Sequence, residues 1–198
     1  MKKVALTIAA SLFISGLTMA MVVPSGDNDD KNTATHTVSI EVPTIALVDI
    51  EAAGGEASTI NLTPDISSLE AGEAVDFGTA TNSDLWLNYS SIVNGGNPRT
   101  ISASISGTLP SEIGLYLTTS SYEGTGKGKT GTVMNSAPQE LTSNAHGIIN
   151  DIKSCYTGNG INNGHNLTYS LKVKNENNYQ NISAGSHNIT VTYTITGN

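Results

Sequence analysis

The sequence predicts an all-β chain, and three observations carry that reading. The last stretch, His187-Asn-Ile-Thr-Val-Thr-Tyr-Thr-Ile-Thr196, sets Ile189, Val191, Tyr193 and Ile195 against Asn188, Thr190, Thr192, Thr194 and Thr196. That period of two gives a strand one apolar face and one threonine face, whereas in a helix successive side chains would point about 100° apart and neither face would be apolar. Similar short alternating stretches recur at irregular intervals of roughly 8–15 residues, with glycine, proline, asparagine and aspartate turn signals between them. Beyond the first residues, no stretch spaces its apolar side chains as an amphipathic helix does.

The chain opens Met1-Lys2-Lys3, runs apolar from Val4 to Leu17 and reaches Thr18-Met19-Ala20. A short basic region, an apolar core and a small residue form a secretory signal peptide, with cleavage expected after Ala20. The apolar run is shorter than the ~20 residues of a membrane-spanning helix, so retention as an uncleaved anchor is the lesser reading. No cysteine follows closely enough for a lipid anchor, and no later stretch is apolar enough to span a bilayer. The expected location is the periplasm, the cell surface or the outside.

Of the 198 residues, removal of 20 leaves about 178, enough for one well-buried domain. Loss of Lys2 and Lys3 takes the formal net charge from −8 to −10. Nucleic acid and anionic membrane surfaces both need a positive footprint, which this chain lacks. The one cysteine, Cys155, has no internal disulfide partner and is expected to be a buried or half-buried structural thiol.

Residues 21–35 are polar and read as a flexible arm ahead of a single domain at 36–198. The Asp27-Asn-Asp-Asp30 cluster lacks the glycine and the distant glutamate of a calcium loop. Val38, Ile40 and Val42 then alternate with Ser39 and Glu41, Pro43 interrupts, and Ile45, Leu47 and Ile50 resume. Proline cannot donate to a ladder, so this strand belongs at an edge or bends at Pro43. Short strands are expected at Thr59–Leu62 and Glu73–Thr79, with a turn or one helical turn at Ser67–Gly72 between them. Leu85–Ile92 places Leu85, Leu87 and Tyr89 on one face and Trp86, Asn88 and Ser90 on the other. Asn94-Gly-Gly-Asn-Pro98 is a turn, and Thr100–Ser106 follows with Ile101, Ala103 and Ile105 inward, so 85–106 reads as a hairpin. Further strands are expected at Leu115–Thr118, Gly131–Met134, Gln139–Thr142, Gly147–Ile152 and Asn166–Val173. This last strand and the final one are expected to be neighbours, as a wide hairpin or across two sheets. Some nine or ten strands without helices predict a two-sheet, immunoglobulin-like β-sandwich with Greek-key connections, with a closed barrel as the alternative.

No catalytic, cofactor or metal constellation emerges. Gly124-Thr-Gly-Lys-Gly-Lys-Thr130 ends like a phosphate-binding loop, but Glu123 stands where the first glycine is needed. His36, His146, His165 and His187 have no metal-ligand spacing. Cys155 with His165 matches no nucleophile signature, and the carboxylates are spread singly. Trp86, Tyr116 and Tyr122 are candidate stacking residues for a carbohydrate, although Trp86 is expected first to cover a sheet edge or pack beneath a loop. The function expected by elimination is an exported, non-catalytic structural or adhesive protein, partnered by itself, other envelope proteins or carbohydrate.

The polar arm before the strand at Val38–Ile50, together with the alternating last strand, resembles bacterial pilus-subunit and spore-coat-U-type sandwich proteins. The resemblance implies that an N-terminal strand can complete the sheet of a next subunit through main-chain hydrogen bonds. Val38, Ile40, Val42, Ile45 and Leu47 would then be the donated residues. The alternative is that this strand completes its own domain.

Overall fold

Alternate side chains leave a strand by opposite faces, so each alternating stretch has one face to bury and needs a second layer to bury it against. The computed structural model describes residues 33–52, 55–56 and 59–197. The expected signal peptide (1–20), residues 21–32 of the expected arm and the acidic cluster at 27–30 lie outside the described residues. The chain divides into two compact units, Met1–Ile40 and Glu41–Asn198. Of the first, residues 33–40 are described; they form no strand and are exposed.

All described strands belong to the second unit. They are β1 (Ile45–Ala52), β2 (Gly55–Glu56), β3 (Thr81–Ile92), β4 (Arg99–Ser106), β5 (Ile113–Thr119), β6 (Lys127–Gly128), β7 (Thr132–Val133), β8 (Gln139–Glu140), β9 (His146–Ile152), β10 (Cys155–Tyr156), β11 (His165–Val173) and β12 (Thr190–Gly197). One sheet runs β2-β1-β3-β11-β5-β8, with β10 pairing to both β3 and β6; the other runs β12-β4-β9-β7. Every pairing is antiparallel.

The core lies between the two sheets. One contributes Leu85, Leu87, Tyr89, Leu115, Leu117, Leu167 and Tyr169, the other Ile101, Ala103, Ile148, Ile149 and Ile152. In β3, β4, β5 and β11 these residues follow the sequence alternation of their strand. Bulges in β4–β9 pairing let the adjacent Ile148 and Ile149 both face inward, which strict alternation forbids.

Several expectations are corrected. Residues 85–106 are not a hairpin: β3 and β4 belong to different sheets, and Asn94–Pro98 carries the chain across the core. A two-residue turn would force pairing, whereas this longer link leaves each strand free to take partners distant in sequence. Thr59–Leu62 forms no strand; Ile60 and Leu62 pack against the core without a ladder. Glu73–Thr79 is likewise unpaired, because Asp76 accepts from the Gly78 N–H and winds Phe77–Thr79 into a 3-10 turn. The strand expected from Val38 begins only at Ile45, past Pro43, and all eight residues of β1 pair with β3. Ile45 and Leu47 therefore lie in a strand of their own domain. Val38, Ile40 and Val42 are 68%, 82% and 68% exposed and unpaired. The two alternating strands β11 and β12 face each other across the sheets, where the hydroxyls of Tyr169 and Tyr193 hydrogen-bond.

Candidate functional site

The most chemically equipped part of the interior is built where β3, the start of β11 and the segments around β10 and β6 meet. Extending the inward phase of Leu167 and Tyr169 back by one step brings His165 inside, across from Leu87 on β3. The same inward phase on β3 carries Tyr89. Their side chains meet, with Tyr89 Oη 2.9 Å from His165 Nε2 and the rings near-parallel.

Two main-chain carbonyls close this pair at its ends. His165 Nδ1–H donates to the Ser120 carbonyl at 2.8 Å, and the Tyr89 hydroxyl also contacts the Thr130 carbonyl. A carbonyl can only accept, so the Ser120 contact fixes which ring nitrogen carries the hydrogen. The single Tyr89 proton then serves two acceptors, His165 Nε2 and the Thr130 oxygen. Thr157, fully buried, accepts from the Tyr89 N–H at 3.0 Å and donates its own N–H to the Tyr89 carbonyl. Tyr122 donates to the Thr157 carbonyl at 3.1 Å and sets its ring edge-on to His165.

Burial governs the electrostatics. It pushes the Tyr89 phenol well above its usual range, with Cys155 and Tyr122 adding to the rise. It lowers His165, against an opposing effect of the Ser120 hydrogen bond. It raises the Cys155 thiol to about 11. Each group is thereby held in its neutral form. Cys155 is a protonated thiol, and both His165 nitrogens are engaged by Tyr89 and Ser120, so the geometry does not make Cys155–His165 a thiolate–base pair. Beside the network opens a cleft of about 280 Å³, lined by Thr119, Ser121, Tyr122, Thr132, Ser136 and His165 among others.

The glycine- and lysine-rich loop is the strap over this site. Lys127–Gly128 pairs with Cys155–Tyr156. A Cβ on Gly126 would stand 1.9 Å from the Tyr156 carbonyl oxygen, so glycine is required here for backbone to lie against backbone. Asn163 knits the neighbouring turn: its Oδ1 accepts from Thr125 N–H, its Nδ2 donates to the Asn159 and Ile161 carbonyls, and its own carbonyl accepts from Asn88.

The three aromatic residues singled out from the sequence are dispersed. Trp86 is half-buried on the outward face of β3, opposite Glu51 and Asn166. Tyr116 is on the same outward face, on β5, with the Lys172 ammonium 5.0 Å from its ring centroid. The register separates these two by two strands and four residues, roughly 16 Å at ordinary strand spacing and rise. Tyr122 points inward to His165. Among the described residues no group of three His, Cys, Asp or Glu side chains is placed to hold a metal ion. His146 bonds Thr142, and His187 bonds the Thr108 carbonyl.

No protein-family model and no curated protein matches the chain.

Proposed function

We propose that this chain is an exported structural or adhesive protein of the cell envelope or the extracellular space, an immunoglobulin-like sandwich with Greek-key connections and without catalytic activity. The observation that carries the reading is the closure of its best-equipped site. Histidine, tyrosine, threonine and main-chain carbonyls there hydrogen-bond to one another and tie four segments together, which is how a buried polar network fixes one core arrangement. The leader at 1–20 and the acidic, hydroxyl- and amide-rich composition support export. Fractionation of the producing cells, with protease treatment of intact cells, tests the location. A mature chain in the envelope or medium is expected; an uncleaved chain in the cytoplasm would defeat the reading.

A second reading is favoured by the exposed alternation at Val38, Ile40 and Val42, which no described strand partners. Such a segment suits donation to the sheet of another copy. The donated set then contracts to these three residues, since Ile45 and Leu47 belong to β1. Polymers or ladders from the full chain that vanish on deletion of 33–44 support it, and unchanged assembly after the deletion ends it.

A further inference from the structure

We propose that the outer edge of β12 pairs with β12 of a second copy, joining two four-stranded sheets into one across a two-fold axis. All eight residues, Thr190–Gly197, pair with β4 in unbroken register on one side only. Among the described residues no strand pairs with the other side, so a row of main-chain donors and acceptors faces outward. Natural edges are usually blunted by charge, proline, bulges or short length. The other margins here follow that rule. β1 carries Asp49 and Glu51 and ends against β2, while β7 and β8 are two residues each. β12 has none of these devices. No Asp, Glu, Lys or Arg occurs after Glu176.

Charge selects the edge at which a second copy can meet the first. Copies of a chain with net charge −8 repel, so the contact that tolerates a second copy is the one with no charge on it. Identical strands meeting antiparallel about Tyr193 would set Val191 against Ile195 of the partner subunit and Thr192 against Thr194 of the partner subunit. Apolar residues then stay on the inner face and threonines on the outer, as a perpendicular two-fold requires. Val191, Tyr193 and Ile195 pack against the core yet keep part of their surface exposed, and β1 of the facing sheet comes near β12 without pairing to it; the second copy would complete their cover. β12 is also already an extended strand held by β4, whereas 33–44 forms no strand and carries Glu41 and Pro43, so less conformational entropy is lost on pairing at β12.

The test is analytical ultracentrifugation of the full chain, a Thr192→Lys/Thr194→Lys variant, a Thr192→Glu/Thr194→Glu variant and a chain lacking 33–44. Both substituted positions are exposed threonines. A wild-type dimer is expected, with each charged variant monomeric alone, the two charged variants dimerising when mixed, and the deletion still dimeric. Recovery on mixing is a result that misfolding cannot produce. A monomeric wild type, or a dimer that survives both charge pairs, overturns the proposal. Loss of the dimer on deletion of 33–44 also overturns it, and would leave the donated-segment reading standing.

Discussion

Tyr89 and His165 stack in the interior with ring planes 10° apart and centroids 5.8 Å apart, 76 residues from each other in the chain. This contact makes β3, β11 and the strap over them one unit, and it carries a pH dependence. Burial sets the folded His165 pKa below its ordinary value of 6.5, so the unfolded chain binds the extra proton more readily. The contribution of His165 to stability is therefore full above 6.5 and is lost as pH falls through 6.5 toward the lowered folded value. Urea midpoints against pH for the wild type and His165→Gln should differ by this acid-side component. A difference curve with the opposite slope would show that His165 is charged in the fold.

Tyr169 and Tyr193 join the two sheets through their hydroxyls, which among the described residues have no other hydrogen-bond partner. Burial raises both phenols. Removing one hydroxyl strands the other, so Tyr169→Phe or Tyr193→Phe should each cost about 1–3 kcal/mol, and the double variant less than the sum of the two. Chemical denaturation of the three variants gives the cycle. Additive costs would mean that the hydroxyls do not interact.

Core and surface positions on neighbouring strands should separate cleanly. Leu87 is fully buried and Leu47 on the adjacent β1 is 64% exposed. Leu87→Ala should cost about 2–5 kcal/mol, and Leu47→Ala no more than about 0.5 kcal/mol. Comparable losses at the two sites would contradict the inward phase assigned to β3.

Gly164 combines a φ of +84° with no space, since an added Cβ would stand 2.0 Å from the Leu87 carbonyl oxygen; Gly95 has φ of +65° and open space. Gly95→Ala should cost about 1 kcal/mol from backbone strain alone. Gly164→Ala should cost clearly more, because the turn must lift off β3. Thermal melts decide it, and equal shifts would refute the close approach.

Cys155 should behave as an interior thiol. With its pKa raised to about 11 by burial, it should react with a thiol reagent at pH 8 far more slowly than it does in denaturant. Rapid reaction in the native state would place it at the surface.

The period-two pattern was enough to establish the all-β class and the inward residues of nearly every long strand. Leu85, Leu87, Tyr89, Ile101, Ala103, Leu167 and Tyr169 are interior because alternation on a pleated strand is a local property, written in neighbouring residues. The histidine site was legible only by phase: His165 continues the inward set of β11 backward, but its partners Ser120, Thr130 and Tyr89 carry no motif. Partner choice is not local. Only the tertiary structure decided that β3 and β4 separate into two sheets, that Thr59–Leu62 goes unpaired, and that two-residue strands at β6 and β10 clamp the strap. It also decided that the alternation across Pro43 is split, with Ile45–Ala52 taken by β3 and Val38–Val42 left exposed. Each of these depends on which strand edges come within hydrogen-bonding reach once the two apolar faces close on each other, a competition among distant segments that no short stretch of sequence encodes.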